Sequence, residues 1–459
     1  MARAPVSLAR ARADPHVICY RAQYVVPVSL PPIVDGVVAV EHGRIAYVGT
    51  SADAPAADVV DLGDVLLLPG LVNAHCHLEL TAMRGFLEDL EFRTWILRLT
   101  NAKRAVMSRE MLLDAARYGI AEGLRHGITT FADTCDSGVS FDAMLEAGVR
   151  GVMYQEVFGP DSAQCAVSIA ELRDRVERMR PAQTPLVRVG VSPHAPYTVS
   201  DSLFSAVSRY ALAEALPIAI HIAESQAEHD LVANAAGPFA DGLRARNIGV
   251  APRARTPIEL LKALGVLAAR PLLIHCVRVD DADVAHIVAA HCAVAHCPAS
   301  NAKLGHGIAP LSMLLDAGIP VGIGSDSVAS NNRMDLLEES RLAALMQRAH
   351  HRDFRELDGH TVLTLATLGS ARALGIEDQV GSLEVGKAAD LAAFPLRNAG
   401  PVHDPEATAV FALPGTPASF VAVAGEVLVR DGVLLGYDES LEKRVQASAN
   451  ALGRWSRST

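Results

Sequence analysis

Two histidines one residue apart, His75 and His77, close the stretch "LLLPGLVNAHCHLEL" at residues 66 to 80. The apolar residues before them read as a buried strand broken at Pro69-Gly70, so the pair finishes a strand. Residues i and i+2 of a strand point to the same side. Two imidazoles aimed at one spot are either core histidines or metal ligands. Other apolar runs also end in polar residues: His221 in "PIAIHIAES", His275 in "PLLIHC", Asp326 in "VGIGSD", and His194 just after "RVGVSP". Buried histidines without a metal would lose solvation and need other partners. Three imidazoles and a carboxylate suit a borderline divalent ion. His75, His77, His221 and Asp326 are therefore read as the ligands of one ion, with zinc placed ahead of iron. A second ion would need a bridging lysine or carboxylate from a middle strand. "LVRVGVSPHAP" offers no lysine, and Lys103, Lys262 and Lys303 fall elsewhere.

Glu224 lies three residues after His221. Alone it would be a solvated loop acid; beside such an ion it reads as a proton shuttle. His275 could be a fifth ligand, a core histidine or an electrostatic partner of the attacking water, and the last is preferred. Cys76 and Cys276 alternate with the histidines and should face into packing.

These residues need elements to hold them at one mouth. From residue 66 onward, apolar strands alternate with long Ala/Leu/Arg-rich helical patterns. With the opening strand, "ITTFADT", "RGVMYQEVF", "LVRVGVSPHAP", "PIAIHIAES", "PLLIHCVRV", "CAVAHCPAS" and "IPVGIGSDS" make eight strands in β-α order. That is the rhythm of a TIM (β/α)8 barrel, whose active site forms at the C-terminal ends of the strands. Both chain ends read as short strands and turns. The expected architecture is α/β: residues 1–67 and 377–459 form a small β-sandwich domain, the latter segment ending in a helix, and residues 68–376 form the barrel.

The 459 residues are 50% hydrophobic and 20% charged, a globular composition. The net charge of -11, with no long basic block, argues against nucleic acid or an anionic membrane as the main partner. No apolar run is long enough to span a bilayer, and the N-terminus lacks the apolar stretch of a secretory signal. Seven scattered cysteines without a CxxC pair read as reduced thiols. A cytoplasmic homo-oligomer acting on a small molecule is expected.

At "PGLVNAHCHLELTAMRG", "SPHAPYT", "HIAES", "HCPASNAKLGHGIAP", "GIGSDSVASNNRMDLLEE" and "GSLEVGKAADL" the chain resembles the amidohydrolase superfamily. The branch is the metal-dependent deaminases and chlorohydrolases, including methylthioadenosine/S-adenosylhomocysteine deaminases. "HCHLEL" is also similar to the "HTHLE" form of aminofutalosine deaminases. The resemblance implies ligands at His75, His77, His221 and Asp326, with Asp326 also taking a proton from the attacking water. It implies a proton-shuttling Glu224 and a water-orienting His275. It implies that His194 contacts the substrate and that Trp95 lines the pocket. Glu224 and Asp326 would then touch the substrate as well. The implied reaction is hydrolytic loss of ammonia from an amino-bearing N-heterocycle of adenosine type. A chlorohydrolase, a deaminase of another ring (guanine, pterin, triazine) and a non-catalytic barrel are the rivals. One departure stands out. Adenosine-type members carry a ribose-binding acid soon after the tryptophan, whereas "WILRLTNAKRAV" has Lys103 and Arg104 there. If those cations turn inward, they would suit a substrate with a carboxylate tail.

Overall fold

The computed structural model describes residues 17–458. All eight expected strands form: β6 (Leu71–Cys76), β7 (Ile128–Cys135), β8 (Arg150–Val157), β9 (Val187–Pro193), β10 (Ala219–Ile222), β11 (Leu272–His275), β12 (Ala293–His296) and β13 (Val321–Ile323). They make two parallel four-stranded runs, β6 to β9 and β10 to β13. A parallel bridge between Val191 and Ile218 links one pair of run ends, and a bridge between Cys76 and Asp326 links the other. The architecture is TIM-barrel-type. Every residue of β6, β7, β8, β10, β11 and β13 is buried. Strands covered on both faces read as continuous apolar runs, which is why the sequence displayed them.

The two ends of the chain meet in one sheet. It contains β1 (Ile18–Val25), β2 (Ile33–Glu41), β3 (Arg44–Thr50), β4 (Asp58–Asp61) and β5 (Val65–Pro69) from the front. From the back come β14 (Leu391–Pro395), β15 (Phe420–Val423), β16 (Glu426–Arg430) and β17 (Val433–Leu434). The order is β17-β16-β15-β14-β5-β1-β2-β3, with β4 paired to β1. The hydrogen bonding is therefore one continuous nine-stranded mixed sheet rather than the two separate sheets expected of a sandwich. The apolar run at residue 66 also divides differently from expectation. Residues 65 to 69 pair with β14 in this sheet, and only the residues after Gly70 enter the barrel run. Thr129 is the reason for the glycine: a Cβ on Gly70 would come within 2.2 Å of its Oγ1.

Arg150, the first residue of β8, ties the sheet to the barrel strands. Its Nε and Nη2 donate to the two carboxylate oxygens of Asp390 at 3.0 and 3.1 Å, with both side chains buried. Asp390 Oδ1 also accepts the Ala424 N–H at 2.8 Å, and its carbonyl accepts the Gly70 N–H at 2.8 Å. This lock sits at the N-terminal ends of the strands, away from the histidine-bearing ends. No helix among the described residues is long and apolar enough to cross a membrane.

Arg150→Ala removes one partner of a buried ion pair and strands the other. The expected loss is about 3–5 kcal/mol of stability, read as a fall in the thermal or urea midpoint. An unchanged midpoint would mean that the sheet and barrel do not depend on this pair.

Candidate active site

Four side chains from three parts of the chain converge at the strand ends. His75 lies in β6, His77 one residue beyond it, His221 in β10, and Asp326 three residues beyond β13. Asp326 Oδ1 is 3.2 Å from His75 Nε2 and 3.5 Å from His77 Nε2. His77 Nε2 in turn faces His221 Nε2 at 3.3 Å. The Asp326 N–H donates to the His75 carbonyl at 3.0 Å, so backbone pairing itself draws these two segments together. Gly324 permits that approach, since a Cβ there would meet His75 Cβ at 2.9 Å. Left-handed backbone recurs around the site, at Ala223 (φ 52°), His275 (φ 78°), Cys276 (φ 46°) and Asp326 (φ 56°). Each such non-glycine residue costs on the order of 1–3 kcal/mol, a strain typical of functional sites.

Burial sets the protonation states. It pushes His77 down to about 3 and His194 down to about 4, and it lowers His75 and His221 as well. Neutral imidazoles present lone pairs. Thr134 Oγ1 pairs with His77 Nδ1 at 3.1 Å, which leaves Nε2 for the cluster. Burial alone would raise Asp326, but the His75 hydrogen bond and the surrounding imidazoles hold it well below the usual carboxylate range. Its Oδ2 accepts hydroxyls from Ser300 at 2.5 Å and Ser330 at 3.1 Å. His221 Nδ1 is buried without a hydrogen-bond partner. Neutral nitrogens crowded onto one carboxylate oxygen, with two of them facing each other, form a donor set that fits a divalent cation. His75, His77 and Asp326 place ligand atoms within 4.8 Å of one another, and so do His75, His221 and His275.

Glu224 is buried beside this cluster. Its Oε1 is 3.5 Å from His275 Nε2 and 3.4 Å from His306 Nε2, and Tyr197 O–H donates to its Oε2 at 3.4 Å. Burial would raise the Glu224 carboxyl, but His275 and His306 outweigh it and hold the group below its ordinary value. His275 is oriented through Nδ1, which pairs with Asn301 Oδ1 at 2.9 Å. Glu228 holds the turn that presents Glu224. Its two oxygens accept the N–H groups of Ala223 at 2.9 Å and Glu224 at 2.8 Å. Burial pushes the Glu228 carboxyl up to about 8, against the pull of those donors.

A cavity of about 540 Å³ opens onto the cluster and includes His77, His194, His221, Glu224, His275 and Asp326 in its wall. Trp95 also lines it, from helix α1 (Phe92–Val106). Phe92, Trp95, Leu99 and Ala102 form the buried face of α1, so Lys103 falls near the same side while Arg104 is exposed at the rim. Both cations line the cavity, Arg104 from its exposed rim and Lys103 from deeper in the wall. The Lys103 ammonium is already engaged, by Glu79 and by Asp136 Oδ1 at 2.8 Å. Cys76 and Cys276 are fully buried in packing, as expected. Sequence reasoning missed Glu79, Asp136 and Glu156 in the wall, Tyr197 against Glu224, and the braces Ser300, Ser330, Asn301 and Glu228. Glu156 ends an apolar strand just as His221 does, so the same signal would have found it.

Glu228→Ala leaves two buried amides without an acceptor, at about 1–3 kcal/mol each. Amide exchange at Ala223 and Glu224 should accelerate at least about tenfold, and Glu228→Gln, which keeps one acceptor oxygen, should fall between. Unchanged protection would show that Glu228 does not hold the turn.

The amidohydrolase family model matches residues 66–428. A 5-methylthioadenosine/S-adenosylhomocysteine deaminase of Moorella thermoacetica is 34% identical over 415 residues, covering 89% of this chain and 93% of that protein. Among solved structures, a zinc-bound adenosine deaminase from Xanthomonas campestris superposes with a TM-score of 0.84 at 29% identity, covering 97% of this chain and all of that one. Atrazine chlorohydrolase TrzN from Arthrobacter aurescens TC1, complexed with zinc, gives 0.81 at 26% identity over 95% of this chain and all of that one. With most of its length matched by the family model, this chain belongs to the amidohydrolase family.

Proposed function

We propose that this chain is a metal-dependent hydrolytic deaminase of adenosine-type nucleosides. One divalent ion, zinc by preference, is held by His75, His77, His221 and Asp326 at the mouth of a closed (β/α)8 barrel formed by β6 to β13. The observation that carries the reading is Glu224: a buried carboxylate facing His275 beside a neutral imidazole cluster, inside a nucleoside-sized cavity. When bound, the ion lowers the pKa of water to about 7. The family membership, the deaminase relative and the zinc-bound adenosine deaminase neighbour support the same chemistry.

The residues divide the proton work. Asp326 accepts a proton from the attacking water, with Ser300 and Ser330 fixing its carboxylate through Oδ2. Glu224 delivers a proton to the ring nitrogen next to the amino-bearing carbon, which makes that carbon electrophilic. His275, oriented by Asn301, stabilises negative charge developing on the oxygen. Asp326 passes its proton to the amino group, which departs as ammonia, while the hydroxyl left on the carbon returns a proton to Glu224 as the carbonyl forms. Trp95 and His194 line the space over the ring.

His77→Ala or Asp326→Ala should lose metal and activity together, by elemental analysis and ammonia assay. Full metal content in both variants would defeat the ligand assignment. Glu224→Gln keeps size and hydrogen bonding but cannot deliver a proton. It should retain the metal while turnover falls by roughly a hundredfold or more, and near wild-type turnover would return Glu224 to a bystander. An ammonia-release screen over adenine nucleosides, guanine, pterins and aminotriazines, run beside a chloride-release assay on chlorotriazines, separates deaminase from chlorohydrolase. Ammonia from the adenine nucleosides is expected.

A further inference from the structure

The deaminase chemistry leaves one acid in the cavity wall without a task. Glu156 ends β8, is only 7% exposed, and lines the cavity. Its Oε1 has no hydrogen-bond partner. A carboxylate oxygen of Glu156 lies within 4.8 Å of a ring nitrogen of His194 and of His221, so the group looks onto the reaction centre's edge. Its charged surroundings are Asp136, Lys103, Glu79 and Asp133. Lys103 is bound to Glu79 and Asp136, which leaves it paired away from Glu156. The cavity is therefore divided. The β10-to-β13 side carries the proton machinery, Glu224, His275 and Asp326. The β6-to-β8 side carries Glu79, Asp136 and Glu156 with Lys103, and Arg104 lines the same wall at its exposed rim.

We propose that Glu156 is a specificity-determining contact that accepts hydrogen bonds from the hydroxyl-bearing, sugar-like portion of the substrate. The inference rests on the deaminase reading above. A buried oxygen without a partner is a mismatch that a ligand hydroxyl corrects. Glu79 and Asp136 are taken up by Lys103, so Glu156 is the acid of this group left to meet a substrate O–H donor. Burial and the neighbouring Asp136 also push the Glu156 carboxyl well above its usual value. In its acid form the group both donates and accepts, which suits a hydroxyl partner equally.

The test compares adenosine with 2′-deoxyadenosine and 3′-deoxyadenosine, using the wild type, Glu156→Gln and Glu156→Ala, all loaded with zinc. Metal content and equilibrium binding of inosine against its deoxy forms are read beside kcat/KM. The wild type should prefer adenosine over at least one deoxynucleoside by roughly tenfold or more. In Glu156→Ala that preference should collapse, chiefly through KM and with weaker inosine binding, while metal content stays at the wild-type level. Glu156→Gln keeps an acceptor oxygen and should retain part of the preference. Equal losses on adenosine and both deoxynucleosides, an undiminished preference, or loss of metal from the variants would overturn the proposal. The wild-type comparison alone decides against it if no sugar hydroxyl matters. If the wild type releases ammonia from none of these nucleosides, the deaminase reading falls first and this inference with it. Ammonia release without a change in sugar preference sinks only the inference.

Discussion

One unbalanced carboxylate in a dry pocket governs the rest of this structure. Asp326 is held ionised at the end of β13 while burial keeps the imidazoles around it neutral. A negative charge among crowded lone pairs makes a donor set that fits a divalent cation. Much of the surrounding structure serves that arrangement. The bridge between Cys76 and Asp326 brings two chain segments together, Gly324 removes a side chain that would keep them apart, and Asp326 itself takes left-handed backbone. The same feature explains why stability and function occupy opposite ends of the strands. The Arg150–Asp390 lock and the nine-stranded sheet hold the N-terminal ends, so the C-terminal ends can carry strain and polar groups.

The cavity has two electrostatic halves, and each follows from where its strands end. On one side Glu224 is kept ionised by His275 and His306, a state from which a carboxylate can take up a proton and pass it on. Glu228 and Asn301 hold the partners of that exchange in place through hydrogen bonds that do not touch the cavity's substrate space. On the other side, Lys103 is drawn inward by Glu79 and Asp136, and those two acids overcome the burial that would otherwise lower its charge. A cation that looks available in the sequence is thereby committed to internal pairing. Arg104, one residue further along α1, sits at the exposed rim of the cavity because a helix turns about 100° per residue.

Much of the fold was legible because its strands are buried on both faces and so print as apolar runs. The cluster of polar residues at the strand ends was legible because a polar residue ending such a run is conspicuous, as His221 and His275 are. Four things were hidden. The break at Pro69-Gly70 was visible, but not that its two sides belong to different sheets, because both are apolar and only pairing partners distinguish a strand of the small sheet from a barrel strand. The braces were missed because Ser300, Asn301 and Glu228 look like ordinary loop or helix polar residues, and their worth depends on contacts with distant segments. His306 was hidden because its contact with Glu224 joins a loop residue to a segment far away in the chain. Glu156 was overlooked although it obeys the rule that found the histidines.

The central claim is that one cation sits among His75, His77, His221 and Asp326. Anomalous diffraction at the zinc edge from crystals of the zinc-loaded protein tests it most directly. The account predicts one strong peak per chain, within bonding distance of ring nitrogens of the three histidines and of an Asp326 oxygen, with Glu224 beside it but not bound. A peak elsewhere, no peak at the cluster, or a second peak held by Glu156 and His194 would contradict it.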